Sequence, residues 1–380
     1  MYPYIVLALA YAIWQSRNYW YWRRIIRSQR VEKNKSAPSI AVIISFRNEA
    51  ENLPALLVSL RAQDYPTDAF EVVFIDDHSD DGGPDFLGAA AGARKGITAQ
   101  GELRIRLLSL VDHLAGRSVV AHKKEALAYA IGQTKAEVIL TTDADCALPA
   151  DLLSRVAEAF QPPVDVVLGP VLIGEGAGFL HAFQALDLAA YQLYTAAMVG
   201  GGAPGLANGA CLAFRRERFF EAGGYAGVDH LPSGDDVLLL HKFNTAGFRA
   251  AWLPGRAPVL TNAVTGWRAL WRQRLRWAGK AGNYVHPGLQ FGQALAFLTS
   301  LAIVLALFTF PLHLRPRLIL LLWSTKIIVD FLPLRSVAQR YRQAYLLWWY
   351  LPVALLYPFY LVAVGTAALL GVKTAWKGRG

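Results

Sequence analysis

At positions 139–149 the chain reads ILTTDADCALP. Four residues that favour a buried strand run straight into two aspartates one residue apart, then a cysteine, and soon a proline. An apolar strand gains nothing in stability from two carboxylates at its tip, because buried charge is costly unless it is partnered. Asp143 and Asp145 therefore call for something to hold, and the pattern around them says where it would sit.

Outward from this stretch, short apolar runs alternate with helical ones. SIAVIISF (39–46), FEVVFIDD (70–77), RIRLLSL (104–110), AEVILTTD (136–143) and VDVVLGPVLI (164–173) read as strands. EAENLPALLVSLRAQ (49–63), HKKEALAYAIGQT (122–134) and ADLLSRVAEAF (150–160) read as helices, with apolar residues at helical spacing. Such alternation predicts an α/β, Rossmann-like domain with a mostly parallel sheet covered on both faces. In these sheets ligands bind beyond the carboxyl ends of the strands. Three acidic clusters fall on that edge: Ser45 to Glu49 after the first strand, Asp76 and Asp77 at the second, and Asp143 and Asp145 at the fourth. Their convergence carries more weight than any one cluster, since a lone aspartate at a strand end is usually a turn or a helix cap.

Composition adds a membrane. The 380 residues are 54% hydrophobic and 17% charged, and the mean hydropathy is +0.29. These values fit a soluble domain combined with membrane-embedded segments. The net charge of +10 does not point to nucleic acid, because the basic residues gather in RRIIRSQRVEKNK (23–35) and beside the apolar C-terminal stretches. Residues 1–25, with the aromatic belt Tyr19-Trp20-Tyr21-Trp22 ahead of Arg23-Arg24, read as an N-terminal anchor and not as a cleaved leader. Three C-terminal stretches have membrane character within 289–373: 291–312 and 344–371 are long enough to span, and 317–334 is interrupted by Lys326 and Asp330. Pro352 and Pro358 are expected to kink the last. A cytosolic catalytic domain puts 334–343 in the cytosol and leaves the basic tail KTAWKGRG outside, against the positive-inside tendency. Cys146 and Cys211 lie far apart and read as small core residues of a reducing compartment.

The series AVIISFRNEAENL, VVFIDDHSDDGG, HKKEALAYA, LTTDADC, NGACLAFRR, SGDDVLLL and QRLRW resembles a membrane-bound family 2 glycosyltransferase of inverting type, with D-x-D and Q-x-x-R-W motifs, over roughly residues 39–280. The resemblance implies an A-type glycosyltransferase domain over 37–265, an amphipathic interface helix over 266–288, and C-terminal transmembrane helices. It also implies an integral protein of the bacterial inner membrane. The donor would be a nucleotide diphosphate sugar, with uridine the expected base. Ser45, Arg47, Glu49 and Asp77 match the positions that hold base and ribose, Lys123 neutralises phosphate, and Asp143 contacts the donor. Ser45 stands where many relatives carry proline.

Two carboxylates at one strand end suit a hard divalent cation, Mg²⁺ or Mn²⁺, that also takes phosphate oxygens. By the resemblance Asp145 is the direct ligand, with Asp143 beside it. Asn208 and Gly209 match the loop along the donor sugar. Asp236 matches the catalytic base and Asp235 replaces the commoner glutamate before it. In WRALWRQRLRWAGK (267–280), four arginines among three tryptophans also describe a helix lying in a membrane interface. The resemblance assigns Gln273, Arg274, Arg276 and Trp277 to the leaving diphosphate and the acceptor. The acceptor is then a lipid-linked or membrane-delivered hydroxyl, and single transfer is preferred because three or four spans are few for a polymer channel. A processive polysaccharide synthase is the alternative. A catalytically inactive sugar-nucleotide-binding scaffold would be expected to lack Asp145 or Asp236, and both are present.

Overall fold

The computed structural model describes residues 2–28, 37–92, 97–98, 101–253, 255–309 and 316–372. The chain divides into two compact units: Ile26–Leu172 with Leu206–Asn262, and Met1–Ile25 with Ile173–Gly205 and Ala263–Gly380. The basic tail KTAWKGRG lies outside the described residues.

The first unit is built on a seven-stranded sheet. Its strands are β1 (Ile40–Phe46), β2 (Phe70–Asp76), β3 (Arg104–Ser109), β4 (Val138–Thr141), β5 (Val166–Leu168), β6 (Leu212–Arg215) and β7 (Ala250–Trp252). Their spatial order is β7-β5-β6-β4-β1-β2-β3. β1 pairs in parallel with β2 and β4, β3 with β2, and β7 with β5. β6 alone runs antiparallel, against β4 and β5. Strands covered on both faces need continuous apolar runs, not alternation, which is why β1 reads IAVIISF and buries six of its seven residues. Ile40, Val42, Ile44, Phe74, Val138 and Leu140 form the core with Leu53, Leu56 and Leu60 of the following helix. The register sets Phe46 opposite Asp76 and Ile43 opposite Thr141, so the acidic loops after β1, β2 and β4 leave the sheet at one edge.

One predicted strand divides. VDVVLGPVLI breaks at Gly169-Pro170 into β5 and a short strand, Val171–Ile173. The Gly169 amide donates to the Cys211 carbonyl at 2.9 Å, and a Cβ on Gly169 would lie 2.1 Å from Cys211 Sγ. Pro170, lacking an N–H, ends the ladder. Cys146 and Cys211 are both buried and free, and burial pushes the Cys211 thiol up to about 12.

Helices follow the sheet in the same order. α1 (Tyr2–Ser28) opens the chain and belongs to the second unit as far as Ile25. α2 (Leu53–Arg61), α3 (His122–Gln133) and α4 (Leu152–Ala159) belong to the α/β unit. α5 (Phe179–Gly200) returns to the second unit, and α6 (Val237–Thr245) to the first. Residues 173–205, read from the sequence within the 37–265 domain, thus group with the helices.

The helical unit continues with α7 (Trp267–Ala278), α8 (Pro287–Thr309), α9 (Pro316–Arg340) and α10 (Tyr350–Leu369). The expected interface helix over 266–288 is confined to α7, followed by a 3₁₀ turn at Ala281–Asn283. Pro287–Phe308 and Ala344–Leu369 are long and apolar enough to cross a membrane by length and composition. The second begins as a 3₁₀ turn, Ala344–Trp349, before α10. Pro352 falls in the first turn of α10, where its missing N–H has no intrahelical partner to lose, and Pro358 lies inside the helix. In α9 the two interrupting charges pair with each other: Lys326 Nζ lies 2.6 Å from Asp330 Oδ2. The Tyr11 hydroxyl (2.8 Å) and Gln15 Nε2 (2.7 Å) of α1 donate to Asp330 Oδ1, so the polar cluster joins α1 to α9.

Candidate active site

The carboxyl edge of the sheet gathers the acids around one lysine. Lys123, in the first turn of α3, places Nζ 2.8 Å from Asp143 Oδ1 and 3.1 Å from Asp235 Oδ2. Burial works against its charge, but Asp143, Asp235 and Asp236 outweigh burial and hold its pKa well above the usual lysine range. Next to this pair, Asp236 caps α6. Its Oδ1 accepts from the Val237 amide (2.7 Å), and its Oδ2 accepts from the Gly209 amide (3.0 Å). Gly209 is held from the other side, where its carbonyl accepts from Thr141 Oγ1 at 2.8 Å. A Cβ there would approach Asp235 Oδ2 to 3.3 Å and Lys123 Nζ to 3.5 Å, so glycine keeps the backbone against the charged pair. Asn208 accepts from the Ala210 amide and fixes the turn.

Asp145 supplies the metal test. Its Oδ2 accepts from Thr261 Oγ1 at 3.1 Å. Burial first, then the charges of Asp143 and Glu49, raise its carboxyl above the usual aspartate range. A carboxylate whose charge is disfavoured by burial and by two more carboxylates is a site that a hard, oxygen-seeking cation relieves, so the donor set fits Mg²⁺ or Mn²⁺. A carboxyl raised in the fold costs stability above its folded pKa, and that cost vanishes below its unfolded one. In chelator, Asp145→Asn should therefore raise the melting temperature near neutral pH, and the gain should shrink as the pH falls into the ordinary carboxylate range. Melting curves across pH that showed Asp145→Asn destabilised at neutral pH would overturn this account of the site.

Asp77 anchors a second cluster on the same edge. It is buried, its amide donates to the Phe46 carbonyl, and its Oδ1 lies 2.9 Å from His78 Nδ1 and 3.2 Å from His122 Nδ1. His122 adjoins Lys123 in α3, so the start of one helix serves both clusters. Ser45 is the penultimate residue of β1, and Ser45, Arg47 and Glu49 are each half-buried. Glu49 Oε2 accepts from Asn52 Nδ2 at 2.6 Å. The loops after β1 and β2 are laced together: the Asn48 amide donates to Ser79 Oγ, the Asp80 amide to Asn48 Oδ1, and the Ala50 amide to Asp81 Oδ2.

Two residues of this site escaped the sequence reading. Lys124, next to Lys123 in the first turn of α3, is 2% exposed. Its Nζ donates to the carbonyls of Val228 (2.6 Å), Leu231 (2.8 Å) and Ser233 (3.0 Å), which pins the loop leading into Asp235 and Asp236. Lys124→Met leaves those three carbonyls without their charged donor. We expect a loss of roughly 2–4 kcal/mol, with faster amide exchange across 228–233. Unchanged stability and exchange would remove Lys124 from this role. Tyr225 is the other. Its buried phenol is pushed well above the usual range by burial and Asp235, with Lys123 opposing and Asp236 adding, so it lies within the field of the acidic pair.

The Q-x-x-R-W residues lie in the helical unit, on α7. Arg274 is fully buried: its Nε donates to Asp187 Oδ2 of α5 (2.7 Å) and its Nη1 to Gln273 Oε1 (2.6 Å), and the guanidinium lies over the Trp277 ring at 4.1 Å. Tyr357 of α10 donates to Asp187 Oδ1 at 2.9 Å. Arg276 and Trp277 are half-buried. Arg274 thus joins three helices by its packing, a role that the motif alone did not suggest.

A mostly parallel sheet with its acids at the carboxyl edge defines the class, an A-type glycosyltransferase fold. A mannosyltransferase from Pyrobaculum calidifontis, solved in complex with GDP-Man and Mn²⁺, shares it with a TM-score of 0.62 at 21% identity, over 97% of this chain and 99% of that one. The chain belongs to glycosyl transferase family 21, whose model matches residues 1–380. The motifs resembled family 2; what the two assignments share is the glycosyltransferase class. Among curated relatives, a beta-monoglucosyldiacylglycerol synthase of Synechocystis is 27% identical over 245 residues, 63% of this chain and 47% of its own. An undecaprenyl-phosphate 4-deoxy-4-formamido-L-arabinose transferase of Aeromonas hydrophila is 30% identical over 135 residues, 35% of this chain and 37% of its own. The chain spans about half the length, or less, of these relatives.

Proposed function

We propose that this protein is an inverting glycosyltransferase that moves a sugar from a nucleotide diphosphate donor to a hydroxyl of a lipid-linked or membrane-delivered acceptor. The observation that carries the reading is Lys123, whose single ammonium bridges Asp143 of the D-x-D pair and Asp235 of the acidic pair. Donor-side and acceptor-side carboxylates therefore share one charge network. Family membership supports the reaction class. The lipid acceptor is supported by the names of the two relatives, each of which carries a lipid, and by two helices apolar enough to span a membrane.

In this reading Asp77, Ser45, Arg47 and Glu49 meet the nucleoside, and Lys123 and Asp143 meet the donor phosphates and sugar. Asp145, with Asp143, would hold Mg²⁺ or Mn²⁺. When bound, the ion neutralises charge on the leaving diphosphate. Asp236 accepts the proton of the acceptor hydroxyl as its oxygen attacks the anomeric carbon from the face opposite the leaving group. The two amides on Asp236 fix the carboxylate plane for that task. Gly209 and Asn208 give the donor sugar a close backbone wall. Arg276 and Trp277 serve diphosphate and acceptor, and Arg274 with Gln273 positions them. The protein is then integral to the bacterial inner membrane, with the α/β unit cytosolic.

The test is a donor panel scored for nucleotide diphosphate release by full-length protein in lipid, with diacylglycerol and polyprenyl phosphate as acceptors. Release that depends on acceptor, is abolished by chelator and is restored by Mn²⁺ or Mg²⁺ supports the reading. Release indifferent to chelator sinks the metal role. A ladder of long products in place of one addition would assign processive synthesis instead.

A further inference from the structure

We propose that Asp77, His78 and His122 form a binding site for a borderline divalent cation such as Zn²⁺, separate from the oxygen-lined site at Asp145. Two segments distant in sequence bring the ligands together: Asp77 and His78, the two residues that follow β2, and His122, the first residue of α3. Both imidazoles direct Nδ1 at the same carboxylate oxygen, at 2.9 and 3.2 Å, and all three ligand atoms lie within 4.8 Å of one another. In a tetrahedral zinc site with bonds of about 2.0–2.1 Å, neighbouring ligand atoms are about 3.3 Å apart. Two edges of such a tetrahedron are therefore already close to length.

The donor set decides the metal. Two nitrogens and one oxygen suit Zn²⁺, Co²⁺ or Ni²⁺, whereas Mg²⁺ prefers the carboxylates at Asp145. Asp77 has a side chain 3% exposed and cannot swing to water, which gives the site a fixed wall. His78 and His122 are 36% and 21% exposed, which leaves a fourth position open to an exchangeable ligand. His78 also takes a φ of +62°, left-handed backbone that costs a non-glycine residue on the order of 1 kcal/mol, while its ring rests on Asp77. Loading this site occupies the Asp77 carboxylate, so Zn²⁺ would compete with the donor's nucleoside. That consequence rests on the proposed function, whereas the binding itself does not.

The experiment uses tag-free, full-length protein in detergent, washed with chelator and titrated with Zn²⁺ against a chromophoric indicator, with Co²⁺ absorption as the second readout. One equivalent of Zn²⁺ should bind, and Co²⁺ should give the visible bands of a four-coordinate site. His78→Asn and His122→Asn should each weaken binding by at least about tenfold, and Asp145→Asn should leave it unchanged. Both histidines are partly exposed, and the metal-free melting temperature of each variant verifies its fold. Zinc binding that survives both histidine substitutions, that disappears with Asp145→Asn, or that is absent from the parent protein overturns the proposal.

Discussion

Asp236→Asn should lower turnover by about 10²–10⁴-fold while the protein still folds, the range expected when a general base is removed. The substitution is close to isosteric. The asparagine oxygen can still accept from the Val237 amide and cap α6, but the bond from the Gly209 amide is lost because the side-chain amide is a donor. A cap substitution costs about 1 kcal/mol, so the melting temperature should move little while activity collapses. Asp235→Asn is the comparison. It removes one of the two carboxylates on Lys123 and should act mainly on the donor's KM, because Lys123 keeps Asp143. Donor binding measured without turnover separates the two. A protein with Asp236→Asn that turned over at the parental rate would remove Asp236 from catalysis.

Asp187→Ala should destabilise the helical unit by about 3–5 kcal/mol, because it leaves the Arg274 guanidinium buried without its counter-charge. The pair is among the most enclosed ions described, with side chains 0% and 3% exposed. It also takes the Tyr357 hydroxyl, so one carboxylate joins α5, α7 and α10. Changing Asp187 to leucine together with Arg274 to methionine should recover much of the loss, since a well-packed apolar pair can replace a buried ion pair. The measurement is the detergent-solubilised melting temperature of the single and double variants. A double variant no more stable than Asp187→Ala would mean that Tyr357 and Gln273, left without partners, dominate the cost.

The sheet was readable because physics writes parallel strands as unbroken apolar runs, and the acids at their tips stood out against that background. β1, β2, β3 and β4 fall where the runs predict them. The break at Gly169-Pro170 was hidden because both halves are apolar, and the Cys211 sulfur that forbids a side chain at Gly169 comes from a distant segment. α5 left no stripe to read, since it is buried around most of its circumference and so lacks a polar face. Lys124 went unmarked for the opposite reason: lysines at helix starts are usually wet, and only folding supplies the three carbonyls that dry this one. Among the four arginines of α7, no pattern in the sequence marks Arg274 as the inward one; Asp187 does.

On the proposed function, one ammonium shared by two distant carboxylates makes the acceptor-side loop answerable to the donor side. If residues 228–236 swing away to admit a bulky lipid, Lys123 is left with Asp143 alone and a buried surplus of positive charge, and the return of the loop cancels it. An incoming diphosphate offers Lys123 a substitute anion and thereby loosens its hold on Asp235. Under that proposal, the order in which the two substrates arrive is governed by electroneutrality.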